Sequence, residues 1–83
     1  MDYRIIFEKA AVKFLQKQPS AQQKRIMNAI RGLPSSGDIK AMQGHECLYR
    51  LRVGSYRVIY RIENDVLIII IVNIGNRGDV YKK

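Results

Sequence analysis

Two turn dipeptides set in a run of period-2 alternation restrict this chain more than any other feature. Leu48–Val53, Tyr56–Glu63 and residues 66–74 each read as strands, separated by Gly54-Ser55 and Asn64-Asp65. Both dipeptides suit two-residue hairpin loops, which join antiparallel neighbours. If Gly54-Ser55 is the first loop, Val53 faces Tyr56, Arg52 faces Arg57, Leu51 faces Val58 and Arg50 faces Ile59. Side chains alternate, so one sheet face carries Tyr49, Leu51, Val53, Tyr56, Val58 and Tyr60. The other face carries Arg50, Arg52, Arg57, Ile59 and Arg61. A slip of one residue would separate this set.

The N-terminal half has a different period. Residues 3–7 are β-branched and aromatic and read as a strand. Over residues 8–18, Ala10, Ala11, Phe14 and Leu15 share one helical face, and Lys9, Lys13 and Lys17 recur on another. Pro19-Ser20 breaks that helix, and Ser20 with Gln23 three residues on matches a capping box. Ile26, Ile30 and Leu33 mark the stripe of a second helix, ended by Gly32 and Pro34. Residues 33–37 read as a loop, and His45 and Glu46 close a linker to the first hairpin. The resulting order is β-α-α-β-β-β. It is a small α+β domain over residues 1–83, with a helical hairpin packed on a mainly antiparallel four-stranded sheet.

Length and composition exclude several functions. At 83 residues there is no room for a second domain or a repeat array. Fifteen Lys+Arg against seven Asp+Glu give a net charge of +8, which favours a polyanionic partner. One cysteine and one histidine rule out an intramolecular disulfide and a Cys- or His-rich metal site. The longest apolar run, residues 66–72, is far below the roughly 20 residues that span a bilayer. The first residues lack a signal peptide's apolar core, so a cytoplasmic compartment is expected.

The hairpin arginines are the sharpest candidate site. Like charges directly opposed, as at Arg52 and Arg57, are destabilising unless an anion lies between them. Guanidinium offers forked donors to phosphate oxygens. The competing reading is a solvated strand face whose arginine stems cover apolar neighbours. Lys9, Lys13 and Lys17 form either a solubilising stripe or a contact with a nucleic-acid backbone. His45 is read as an incidental loop histidine, and Cys47 as a small core residue at a strand start. No carboxylate pair, Ser-His-Asp set, phosphate-cradling glycine loop or HExxH occurs.

The chain resembles the RelE/ParE superfamily of toxins from bacterial and archaeal toxin–antitoxin pairs. Three stretches carry the likeness: KAMQG at 40–44, LYRLRVGSYRVIY at 48–60, and IGNRGDVY at 74–81. The resemblance implies a RelE-like fold and, for the RelE branch, cleavage of messenger RNA in the ribosomal A site. There the 2′-hydroxyl attacks the adjacent phosphate. By correspondence, Arg57 and Arg77 would stabilise the phosphate. Arg50 and Arg52 would occupy the place of basic lysines. Tyr81 would orient or activate the nucleophile, or stack on a base. The helix lysines, with Arg61, would contact RNA or the ribosome. No metal or cofactor is implied. The expected partners are the ribosome with its A-site messenger and an acidic cognate antitoxin that wraps the toxin; no membrane is expected. Two positions depart from the family. Arginine stays protonated, so Arg50 and Arg52 are poor general bases, and Asn76 stands where many relatives carry histidine. Weak acid–base equipment implies little cutting of free RNA. A ParE-like poison of DNA gyrase, or a non-catalytic RNA-binding toxin, are the competing functions.

Overall fold

The computed structural model describes residues 3–42, 44 and 47–76. Strand β1, Arg4–Phe7, leads into helix α1, Lys9–Gln16. Ala11 of α1 is buried, Phe14 and Leu15 pack against the core, and Lys9, Lys13 and Lys17 are exposed. Ala10, expected on the inner face, is exposed.

Helix α2, Ser20–Arg31, buries Ile26 and Ile30. The expected capping box does not form. Pro19 occupies the cap, its carbonyl accepts from the Gln22 and Gln23 amides, and no side chain caps the helix. Gln23 Nε2 instead donates to the Gln18 carbonyl at 2.8 Å, tying the two helices together at their turn.

The sheet has five strands where four were expected, in the order β1-β5-β4-β3-β2. The added strand is β2, Asp38–Ala41, an edge strand antiparallel to β3, Leu48–Val53. Its sequence, DIKA, carries one large apolar residue and two charges, as suits a short protected edge. Strand β4, Tyr56–Glu63, lies between β3 and β5, Ile68–Asn76, and β1 pairs with β5 in parallel.

The β3–β4 register is the expected one, with Arg52 opposite Arg57 and Arg50 opposite Ile59. Gly54 opens the turn at φ +60°, the left-handed conformation that glycine adopts without penalty. The Asn64-Asp65 turn is longer than expected. Asn64–Val66 forms a 3-10 turn, Leu67 follows at φ 55°, and Glu63 pairs with Ile68 across the loop.

Both helices cover one face of the sheet, α1 over β5 and α2 over β3. The core there includes Ile26, Ile30, Leu51, Val58, Tyr60, Ile69, Ile71 and Ile74, all essentially fully buried. The opposite face is the candidate site. Among the described residues no helix is long and apolar enough to cross a membrane.

Candidate nucleic-acid interface

Strand register places the charged side chains of the helix-free face in rows. One row runs Asp38, Arg52, Arg57, Gly75 across β2 to β5. The next runs Lys40, Arg50, Ile59, Asn73. Ile59 therefore has Arg50 and Asn73 on its flanking strands, and Arg57 and Arg61 two residues away along its own strand. Ile59 is only 6% exposed although no helix among the described residues covers this face. Its neighbours on this face in the strand register are three arginines and one asparagine, so an apolar position is set among cationic and amide residues.

This arrangement favours an anion. Arg50 and Arg57 are half-buried, and Arg52 is exposed directly opposite Arg57. The Arg50 Nε is buried and has no hydrogen-bond partner among the described residues. A buried cationic donor of this kind is costly until an acceptor reaches it. Asp38 faces Arg52 across the sheet edge and moderates the field on that side. Arg61 is partly neutralised, its Nε held by Glu63 Oε2 at 3.0 Å in a solvent-exposed pair. Arg50, Arg52 and Arg57 are thus brought together, and Arg61 lies on the same face as a shielded neighbour.

Strand order also adds candidates that period reading missed. Lys40 is carried into the Arg50 row by β2, and only the weak D-I-K-A alternation signals it. Asn73 arrives through an irregularity. Ile59 pairs with Asn73 and Tyr60 with Ile71, so Val72 is an extra residue on β5. Such bulges bend a strand and re-aim its side chains, and they recur beside active sites. The Asn73 Oδ1 accepts the Ile74 amide at 2.9 Å. A polar residue in the middle of a mostly aliphatic strand was the available signal.

The β3–β4 turn is fastened to the helical hairpin. The Tyr56 hydroxyl donates to Gln18 Oε1 at 3.0 Å, and Gln18 Nε2 donates to the Phe14 carbonyl at 3.2 Å. Phe14 and Tyr56 pack edge to face at 6.0 Å. The Arg25 guanidinium lies over Gly54, 2.9–3.1 Å from where a Cβ would stand. The arginine hairpin is held at its tip by these contacts.

The remaining candidates fall elsewhere. Lys9, Lys13 and Lys17 form an exposed stripe on α1, away from the open face. Cys47 is exposed rather than a core residue, and its φ of 64° marks the tight entry to β3. Arg77, Tyr81 and His45 lie outside the described residues. Among the described residues no group of three His, Cys, Asp or Glu side chains is placed to hold a metal ion. Among the described residues the one perturbed titrating group is on the core side. Burial, with a contribution from neighbouring Tyr49, pushes the Tyr60 phenol up to about 12.

The family described as "ParE toxin of type II toxin-antitoxin system, parDE" matches residues 2–81. The chain belongs to the RelE/ParE toxin superfamily. Within it, the Toxin RelE3 of Methanocaldococcus jannaschii is 33% identical over 72 residues, covering 78% of this chain and 82% of that protein. The archaeal RelE–RelB complex from Pyrococcus horikoshii OT3 contains a chain of the same fold, with TM-score 0.78 and 31% identity. That match covers 94% of this chain and 98% of the other. A chain in the RelB–RelE antitoxin–toxin complex from Methanococcus jannaschii matches at TM-score 0.75 and 32% identity, over 92% and 94% of the two chains. The five-stranded RelE-like sheet with two helices on one face is therefore the fold of a RelE-family toxin.

Proposed function

We propose that this toxin is a ribosome-dependent messenger RNA endonuclease of the RelE type. The observation that carries the reading is the grouping of Arg50, Arg52 and Arg57 in adjacent rows of the face opposite the two helices. Attack of a ribose 2′-hydroxyl on the adjacent phosphate builds negative charge at a five-coordinate centre. The P–O5′ bond then breaks, giving a 2′,3′-cyclic phosphate and a 5′-hydroxyl that takes up a proton. Fixed cations around that centre lower the barrier without reorganising. Arg57 and Arg77 stabilise the phosphate, Arg50 and Arg52 widen the anion site, and Tyr81 handles the 2′-hydroxyl proton. The arginines remain charged throughout, so they contribute field and position rather than proton transfer. Substrate geometry is supplied by the ribosome, to which the exposed lysines of α1 and Arg61 add salt-sensitive backbone contacts. The protein works in the cytoplasm and is silenced by an acidic antitoxin. That partner's charge is the complement of the toxin's +8.

The test is to add the protein to a translating extract and map messenger ends. Codon-phased cuts are expected, lost in Arg77→Ala and strongly reduced in Tyr81→Phe. Efficient cutting of naked messenger would remove the ribosome from the mechanism. A second reading, a ParE-like poison of DNA gyrase, is favoured by the description of the matching family. It predicts intact messenger and trapped, double-strand-broken DNA in the same extract.

A further inference from the structure

We propose that the Asn73 carboxamide is a further ligand of the RNA phosphate, donating from Nδ2 to a non-bridging oxygen above Ile59. The inference rests on the reading of the arginine face as an RNA-phosphate site. Three observations carry it. Asn73 pairs with Ile59 on β5 as Arg50 pairs with it on β3, so the two side chains flank the same apolar residue. The carboxamide is also pre-set. Its Oδ1 accepts the Ile74 amide at 2.9 Å, which leaves the NH2 end as its outward donor. Third, asparagine is disfavoured in strand interiors, and here it follows the extra residue Val72 and the aliphatic run 68–72, well inside the strand.

The chemistry complements the guanidinium groups. Arg50 and Arg57 supply charged donors from β3 and β4, and a phosphate held by them still has acceptor capacity toward β5. A neutral amide there adds a donor without adding another like charge to a rim that already opposes Arg52 to Arg57. Its Oδ1 is already held by the Ile74 amide before RNA arrives, so the donor end is preorganised.

The test is NMR on the ¹⁵N-labelled protein, titrated with an RNA trinucleotide blocked by 2′-O-methyl groups so that it binds without being cut. The Asn73 side-chain NH2 and Arg50 Nε–H resonances are expected to move along one binding curve. Asn73→Ala should bind this RNA about ten- to a hundredfold more weakly, as for a lost hydrogen bond to a charged group. Asn73→Asp keeps the acceptor for Ile74, and so the local fold, and should bind more weakly still. Wild-type affinity in Asn73→Ala, or Arg50 shifting while the Asn73 amide stays still, overturns the inference and leaves the RNA-phosphate reading standing. If neither resonance moves, both fail. Should Asn73→Ala not fold, the two wild-type resonances decide the question.

Discussion

The two faces of the β3–β4 hairpin are made by alternate residues of the same twelve-position hairpin ladder, yet they obey different rules. On the helix-covered face Leu51, Val58 and Tyr60 are fully buried against Ile26, Ile30 and Ile71. On the other face Arg50, Arg52 and Arg57 are neighbours in the register, with Arg52 opposed to Arg57 and the Arg50 Nε buried without an acceptor among the described residues. The first face gains by folding. The second opposes like charges, a cost that a bound anion would offset. Adjacent positions such as Arg50 and Leu51 therefore answer to different selection, and substitutions should separate them.

The largest expected effect is on the buried face. Leu51→Ala removes a fully buried side chain and should cost about 2–5 kcal/mol. That is a large share of what a domain of this size has to spare. Denaturant unfolding measures it. A loss below about 1 kcal/mol would mean that the helices do not seal this face. One residue earlier the expectation inverts. Arg50→Met keeps the stem and removes the buried cation, so thermal stability should hold or rise. RNA affinity should nevertheless fall about tenfold or more. A destabilised Arg50→Met protein would show that the guanidinium is structural, and the contrast between the faces would collapse.

A smaller effect tests what joins the faces. Gln18 accepts from Tyr56 and donates to the Phe14 carbonyl, so it links the hairpin tip to the helix turn. Gln18→Ala should cost about 1 kcal/mol in chemical denaturation, the usual net value of a partly buried hydrogen bond. No change would show that the ring contact between Phe14 and Tyr56 holds the tip unaided.

The contrast between faces was legible in the sequence because one glycine set the register. Gly54 fixed the turn, and every pairing from Val53–Tyr56 to Arg50–Ile59 followed from it. Strand β2 was not legible. Only Ile39 marks its inner side, and an edge strand needs few apolar residues. Ser20 has the composition of a cap, but the Pro19 carbonyl takes the helix's first amides and Gln23 is drawn to Gln18. Cys47 reads as core by residue type. It is exposed, in a left-handed backbone conformation at the strand entry, which composition does not encode. Asn73 was hidden for a related reason: an extra residue shifts the β4–β5 ladder by one, and period counting assumes no such shift.

The smallest effect at neutral pH is expected at Tyr60, and its pH dependence sharpens the comparison most. Tyr60 is fully buried and stacks on Tyr49 at 5.6 Å, and its hydroxyl has no hydrogen-bond partner among the described residues. Tyr60→Phe should therefore be neutral or slightly stabilising at pH 7, since it removes a buried hydroxyl that the fold does not satisfy. At high pH the two proteins should diverge. The phenol is pushed up to about 12 by burial, against an ordinary value near 10. The unfolded chain loses its proton first, so this contribution to stability is intact below about pH 10 and is lost as pH rises toward 12. Wild type should lose melting temperature more steeply than Tyr60→Phe across that window. Parallel curves would mean that the hydroxyl reaches an acceptor or water, and that the helix-covered face is less completely sealed than its aliphatic core implies.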